Sequence, residues 1–124
     1  MAIIGSPTVL VDNETIGIVP NSASFTLGKG TKNVRVASAG GGATEIVVTE
    51  NAEEKKSKGK FSVYPTKENI DKIVSWSKDK HVVQIIDNDG FQKTMQDAVL
   101  VTDPEIALGA DTVIELEWEG KPVI

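Results

Sequence analysis

The sequence contains no cysteine, which excludes disulfides, thiolate metal ligands and a cysteine nucleophile. It has one histidine, His81. One imidazole without thiols builds no transition-metal cluster. A Ser–His–Asp arrangement around His81 would lack the Gly-x-Ser-x-Gly elbow that presents a nucleophile. No catalytic residue, no metal site and no cofactor is therefore expected, and the chain does not read as an enzyme. Arg35 is the sole arginine, and the formal net charge is −5. Phosphate neutralisation needs clustered Lys and Arg, so this balance argues against a dedicated nucleic-acid binder. Two Trp, one Tyr and three Phe supply few aromatics for a carbohydrate-binding platform once a core has taken its share. The opening Met1-Ala2-Ile3-Ile4-Gly5 has neither a basic region nor a long apolar run. Neither a secretory leader nor membrane insertion by this chain is expected.

What remains is a mixed, soluble-type composition of 124 residues, expected to form a single domain, 1–124, with its own core. The most legible stretch runs from Lys60 to Asp87. Lys60-Phe61-Ser62-Val63-Tyr64 alternates with period two, as a half-buried strand does. Pro65 ends it, Thr66 stands at a helix N-cap position, and Glu68 meets the positive end of the helix dipole. A helix over about 66–78 follows, with Ile70, Ile73, Val74 and Ser77 on one stripe and Trp76 at its margin. His81 to Asp87 is β-branched and too short for a second helix. Elsewhere the chain reads as strand and turn. A hairpin spans Thr8–Asp12 and Thr15–Val19 around Asn13-Glu14, and strands are expected over Ser22–Leu27, Asn33–Ala37 and Ala43–Glu50. Phe91–Met95 and Ala98–Thr102 follow the Asn88-Asp89-Gly90 turn. In the last strand Ile114, Leu116 and Trp118 share one face, and Glu115, Glu117 and Glu119 share the other.

The stretch 51–59 is different in kind, with charges and almost nothing apolar, and is expected to be an extended, mobile loop. Two tempting motifs fail. Gly28-Lys29-Gly30-Thr31 lacks the rest of a phosphate loop and is followed by a strand. Asp87-Asn88-Asp89-Gly90 lacks the downstream Glu of a calcium loop. The expected fold is mainly β, an antiparallel sandwich or barrel with one flanking helix.

The run from Lys60 through Ile73 to Trp76, the segment Phe91–Glu105, and the ending Trp118-Glu119-Gly120-Lys121-Pro122 together resemble contractile-phage tail tube proteins. The resemblance implies a structural, non-catalytic subunit. Its copies would form hexameric rings, stacked into a hollow conduit through which DNA is delivered. It implies a tail sheath outside, a tape measure protein and later DNA in the lumen without sequence-specific binding, and a baseplate hub and tail terminator at the ends. The place would be the virion tail, after assembly in the host cytoplasm. An arm before the helix contacts the neighbouring ring in that family. Carried onto this chain, the arm covers Ala43–Glu50 and 51–59, with Glu53, Glu54, Lys55, Lys56 and Lys58 as contact candidates. Glu115, Glu117 and Glu119, and more weakly Glu45 and Glu14, are candidates for an anionic lumen. Glu68, Asp71, Lys72 and Lys78 are candidates for a sheath-facing helix surface. A pyocin or secretion-type inner tube would share this architecture. From a different class, a monomeric ligand-binding β domain stays open.

Overall fold

A computed structural model describes residues 4–38, 40–42, 44–51 and 54–124. The first hairpin pairs β1 (Thr8–Val11) with β2 (Glu14–Ile16). Its two-residue loop is Asp12-Asn13, both left-handed at φ 52° and 66°, the turn whose twist matches a hairpin. It falls one residue earlier than the alternation suggested, because Asp and Asn tolerate that backbone region and Glu14 is free to pair with Val11. β3 (Ser24–Thr26) pairs with β6 (Ser57–Val63), and β6 pairs along its whole length with β9 (Ile114–Gly120). β7 (His81–Ile86) lies between β1 and β8 (Gln92–Leu100). The result is a seven-stranded antiparallel sheet in the order β2-β1-β7-β8-β9-β6-β3, not closed into a barrel.

β8 holds the two halves of this sheet together. Its first half pairs with β7, and Val99 and Leu100 pair with β9. The transfer occurs at a bulge where Asp97 adopts φ 50° and the register with β7 shifts. Gly120 makes the crossing possible. A Cβ there would stand 2.8 Å from the Gln96 carbonyl and the Met95 side chain. Beyond β9, Lys121 N–H donates to Gln96 O, Ile124 exchanges two backbone bonds with Thr94, and Val123 N–H donates to Leu27 O.

The core follows from period-two burial. Ser57, Gly59, Phe61 and Val63 of β6 and Ile114, Leu116 and Trp118 of β9 point inward, and Lys58, Lys60 and the glutamates point out. Trp118 is the centre. Its ring stacks on Phe61 at 6.3 Å, receives Trp76 edge-on at 5.8 Å and meets His81 at 6.0 Å. Ser57, read from the sequence as part of a mobile loop, is fully buried with its hydroxyl donating to Lys121 O at 2.6 Å. It opens β6 because every second residue from Ser57 onward is small or apolar enough to sit against the core.

The helix α1 spans Lys67–Trp76, with Thr66 Oγ1 accepting from Asn69 N–H at 3.2 Å. The buried stripe is Ile73 and Trp76, with Ile70 partly covered. Val74, expected on that stripe, is 57% exposed. Trp76 displaces it because the larger ring reaches Trp118 and turns the helix towards the 70–73–76 side. Among the described residues no helix is long and apolar enough to cross a membrane.

His81 closes the joint between α1, β7 and the first hairpin. Nδ1 lies 2.6 Å from Asp12 Oδ2 and Nε2 2.7 Å from Lys78 O. Both partners accept only, so both ring nitrogens are satisfied when the imidazole carries two protons. Burial pulls His81 down, but Asp12 and the Lys78 carbonyl outweigh it and hold the ring above its ordinary value. Burial raises Asp12, but the Val82 N–H and His81 outweigh it and hold the carboxyl below its usual range.

Two outcomes follow. Trp118→Ala lowers unfolding free energy by about 3–5 kcal/mol in denaturant titrations. The histidine's folded value is raised, so its stabilisation is complete below about pH 6.5 and is lost as pH rises through the folded value. The Asp12 contribution is present above about pH 3.9 and is lost as pH falls through its depressed folded value. The melting-temperature gap between wild type and His81→Gln is therefore widest in mildly acidic buffer and narrows towards alkaline pH.

Candidate assembly interface

β4 (Lys32–Ser38) and β5 (Thr44–Glu50) form a two-stranded ribbon separate from the main sheet. The turn through Gly40–Gly42 puts Gly41 and Gly42 at φ 78° and 82°, a conformation that favours glycine. Register sets Val34 opposite Val48 and Val36 opposite Ile46, so all four lie on one face. They are 62%, 52%, 67% and 64% exposed, respectively. A lone two-stranded ribbon is marginal in water. Burying each such side chain fully is worth about 1.5–3 kcal/mol. A contiguous apolar face of this kind marks an interaction surface.

Of the region expected as an arm, Thr44–Glu50 is one strand of this ribbon, and the described charged residues after it lie at its root; Ala43 lies outside the described residues. Thr31 N–H and its hydroxyl both donate to Glu54. Lys55 lies 2.7 Å and Lys32 3.6 Å from Glu50, and they hold its carboxyl below the ordinary range. Lys56 pairs with Glu119 at 2.9 Å. Of the contact candidates, Glu54, Lys55 and Lys56 are engaged within the chain. Among the described residues the Lys58 side chain has no ion pair, and Glu53 lies outside the described residues. Sequence reasoning missed the ribbon's apolar face because the alternation in Asn33–Ala37 looks the same whether a core or a partner covers it. The signal that could have found it is the glycine triplet joining two strands of equal length.

The acidic candidates occupy three separate places. Glu115, Glu117 and Glu119 share the outer face of β9, opposite the face where Trp118 meets the helix. Lys60 sits 3.2 Å from Glu117, and together with Lys56–Glu119 forms a cross-strand ladder. This face is therefore charge-balanced at two of its three glutamates. Glu45 is on the ribbon, opposite Ala37. Glu14 lies beside the helix, 2.9 Å from Lys72. In contact, Glu14 and Lys72 lie on one side of the molecule, so they do not line a lumen and a sheath-facing surface at once. The short loop of the first hairpin brings Glu14 under α1. Glu68 and Asp71 are exposed on the helix and Lys72 is half-buried there, whereas Lys78, expected within the helix, is exposed beyond its end, because α1 stops at Trp76 with Ser77 as its C-cap. Among the described residues no group of His, Asp and Glu could hold a metal ion.

No family model and no curated protein matches the sequence. Solved structures do. A chain of the anti-feeding prophage cap (AFP tube terminating cap) aligns with TM-score 0.58 and 12% identity, over 98% of this chain and 88% of that one. A chain of the PVC sheath-tube complex in its extended state, from an extracellular contractile injection system, gives 0.58 and 17% over 98% and 88%. One from the PVC sheath/tube terminator in the extended state gives 0.59 and 16% over 100% and 95%.

The β6–β9 ladder predicts that Lys60→Glu costs about 0.2–1 kcal/mol in equilibrium unfolding, and that adding Glu117→Lys restores the loss. The resemblance to contractile-tail tube proteins read from the sequence is thus met at the level of the fold, which this chain shares with components of extracellular contractile injection systems.

Proposed function

We propose that the chain is a structural subunit of the tube of a contractile machine and works only after assembling with copies of itself. The observation that carries this reading is the β4–β5 ribbon, whose face of Val34, Val36, Ile46 and Val48 no part of the same chain covers among the described residues. The near full-length likeness to chains from tube, cap and terminator assemblies supports it. So do the sheet's edges. β2 and β3 have three residues each, too short to template open-ended pairing, which directs association to the ribbon.

In this reading the rings are hexameric and stack into a hollow conduit, with the outer face of β9 towards the bore and α1 on the side of a sheath. DNA adheres to lysines by releasing counterions. A face on which Lys56 and Lys60 already pair with Glu119 and Glu117 gives up fewer of them. A passing polyanion would meet a near-neutral surface, with Glu115 and Lys58, which has no ion pair among the described residues, offsetting one another. A tape measure protein would occupy the bore before DNA, and a hub and a terminator would close the two ends. The subunit would reside in the particle after assembly in the host cytoplasm. A pyocin or secretion-type tube would use the same surfaces.

Negative-stain microscopy and light scattering test the reading, with rings or tubes expected. The double variant Val36→Thr/Ile46→Thr keeps β-branched side chains at exposed positions and shifts monomer stability by no more than about 0.5 kcal/mol per site, but weakens assembly at least tenfold. A wild-type chain that stays monomeric at all concentrations overturns the proposal and favours a ligand-binding β domain.

A further inference from the structure

Two separate surfaces flanking the β6–β9 pair complement one another. One is the loop 101–113 between β8 and β9. It carries Asp103, Glu105 and Asp111 and no basic residue. Leu108 stands at its tip, 75% exposed. The tip is held in shape from inside, because the Thr112 hydroxyl is shared between the Ala107 and Gly109 carbonyls at 2.8 and 2.9 Å. A pre-shaped loop loses less conformational freedom when it docks. A monomer gains nothing from presenting a leucine to water on such a support.

The other surface is an open groove of about 820 Å³ between the β3–β4 connection and the root of the ribbon. Leu27, 44% exposed, supplies its apolar part. Lys29, Lys56 and Lys58 supply positive charge against one carboxylate, Glu54, which Thr31 holds; Lys56 pairs with Glu119, and Lys29 and Lys58 have no ion pair among the described residues. Gly28 and Gly30, at φ 84° and 72°, keep the wall thin. A Cβ on Gly28 would strike the Ser57 and Lys56 backbone at under 3 Å, so the chain path that shapes the groove requires glycine.

We infer that the 101–113 loop of one copy enters the Leu27–Lys29–Lys58 groove of the next, Leu108 meeting Leu27 and the loop carboxylates facing the lysines. Within one chain the loop starts beside Trp118 and runs along β9 against Glu115 and Glu117 to Ile114, and it shares no lining residue with the groove. Contact between copies is then head-to-tail. Such heterologous contacts give an assembly direction and propagate until closed or capped. This inference rests on the self-assembly reading and names a second surface for it, distinct from the ribbon.

Because the chain has no cysteine, placed thiols test it directly. Leu108→Cys and Lys29→Cys chains are assembled as a mixture and oxidised. Disulfide-linked dimers containing one chain of each kind, absent from either variant alone, are expected. A charge swap gives a second measurement. Asp103→Lys with Asp111→Lys, or Lys29→Glu with Lys58→Glu, each weakens association at least tenfold, and mixing the two restores binding between unlike chains. If microscopy shows rings or tubes but no mixed disulfide forms and the charge swap has no effect, the loop-in-groove contact is overturned while the assembly reading stands. A chain monomeric by light scattering overturns both.

Discussion

The inward packing of Trp118 constrains the rest of the structure. Its indole is buried by Phe61 from the adjacent strand, Trp76 from the helix and His81 from the strand beyond. One side chain therefore ties together elements far apart in sequence. Strand periodicity then leaves no freedom on the other side. With Trp118 in, Glu117 and Glu119 are out, and the antiparallel register with β6 places lysines beside them. The position of the helix and the outward charge ladder are consequences of one buried ring and a two-residue repeat.

The body so built is self-sufficient in its backbone bonding, and its exposed edges are short. The ribbon is not. Its apolar face has the composition of a core surface without a core, and the loop 101–113 presents Leu108 in the same unpartnered way. In the proposed assembly, stability would be distributed between chains. The monomer holds the sheet together, and assembly would hold the ribbon. The Asp12–His81 clamp belongs to the first kind, since it fastens the hairpin loop to the helix end and the start of β7 entirely within the chain.

Charge illustrates how composition and geometry differ in what they reveal. The net charge of −5 is a property of the whole chain and does not distinguish one glutamate from another. Geometry divides those glutamates by their neighbours. Glu117 and Glu119 are neutralised across the sheet, Glu50 and Glu54 brace the root of the ribbon, and Glu14 ties the hairpin to Lys72. Exposed ion pairs of this kind contribute little energy singly. Their main effect is on which surfaces remain charged for another molecule to meet.

By itself the sequence determined the elements. Period-two runs marked the strands, Thr66 marked the start of the helix, and Asn88-Asp89-Gly90 marked its hairpin, because each is a short-range preference written in neighbouring residues. It also placed Ile114, Leu116 and Trp118 inside. Only the tertiary structure decided that Ser57–Gly59 is strand and not loop, that Trp76 and not Val74 faces the core, that Glu14 lies against Lys72, and that Val34, Val36, Ile46 and Val48 face water. Each of these depends on what a residue meets from a distant part of the chain. Alternation shows that a strand has an apolar face; it does not say whether that face is covered by its own chain or waits for another.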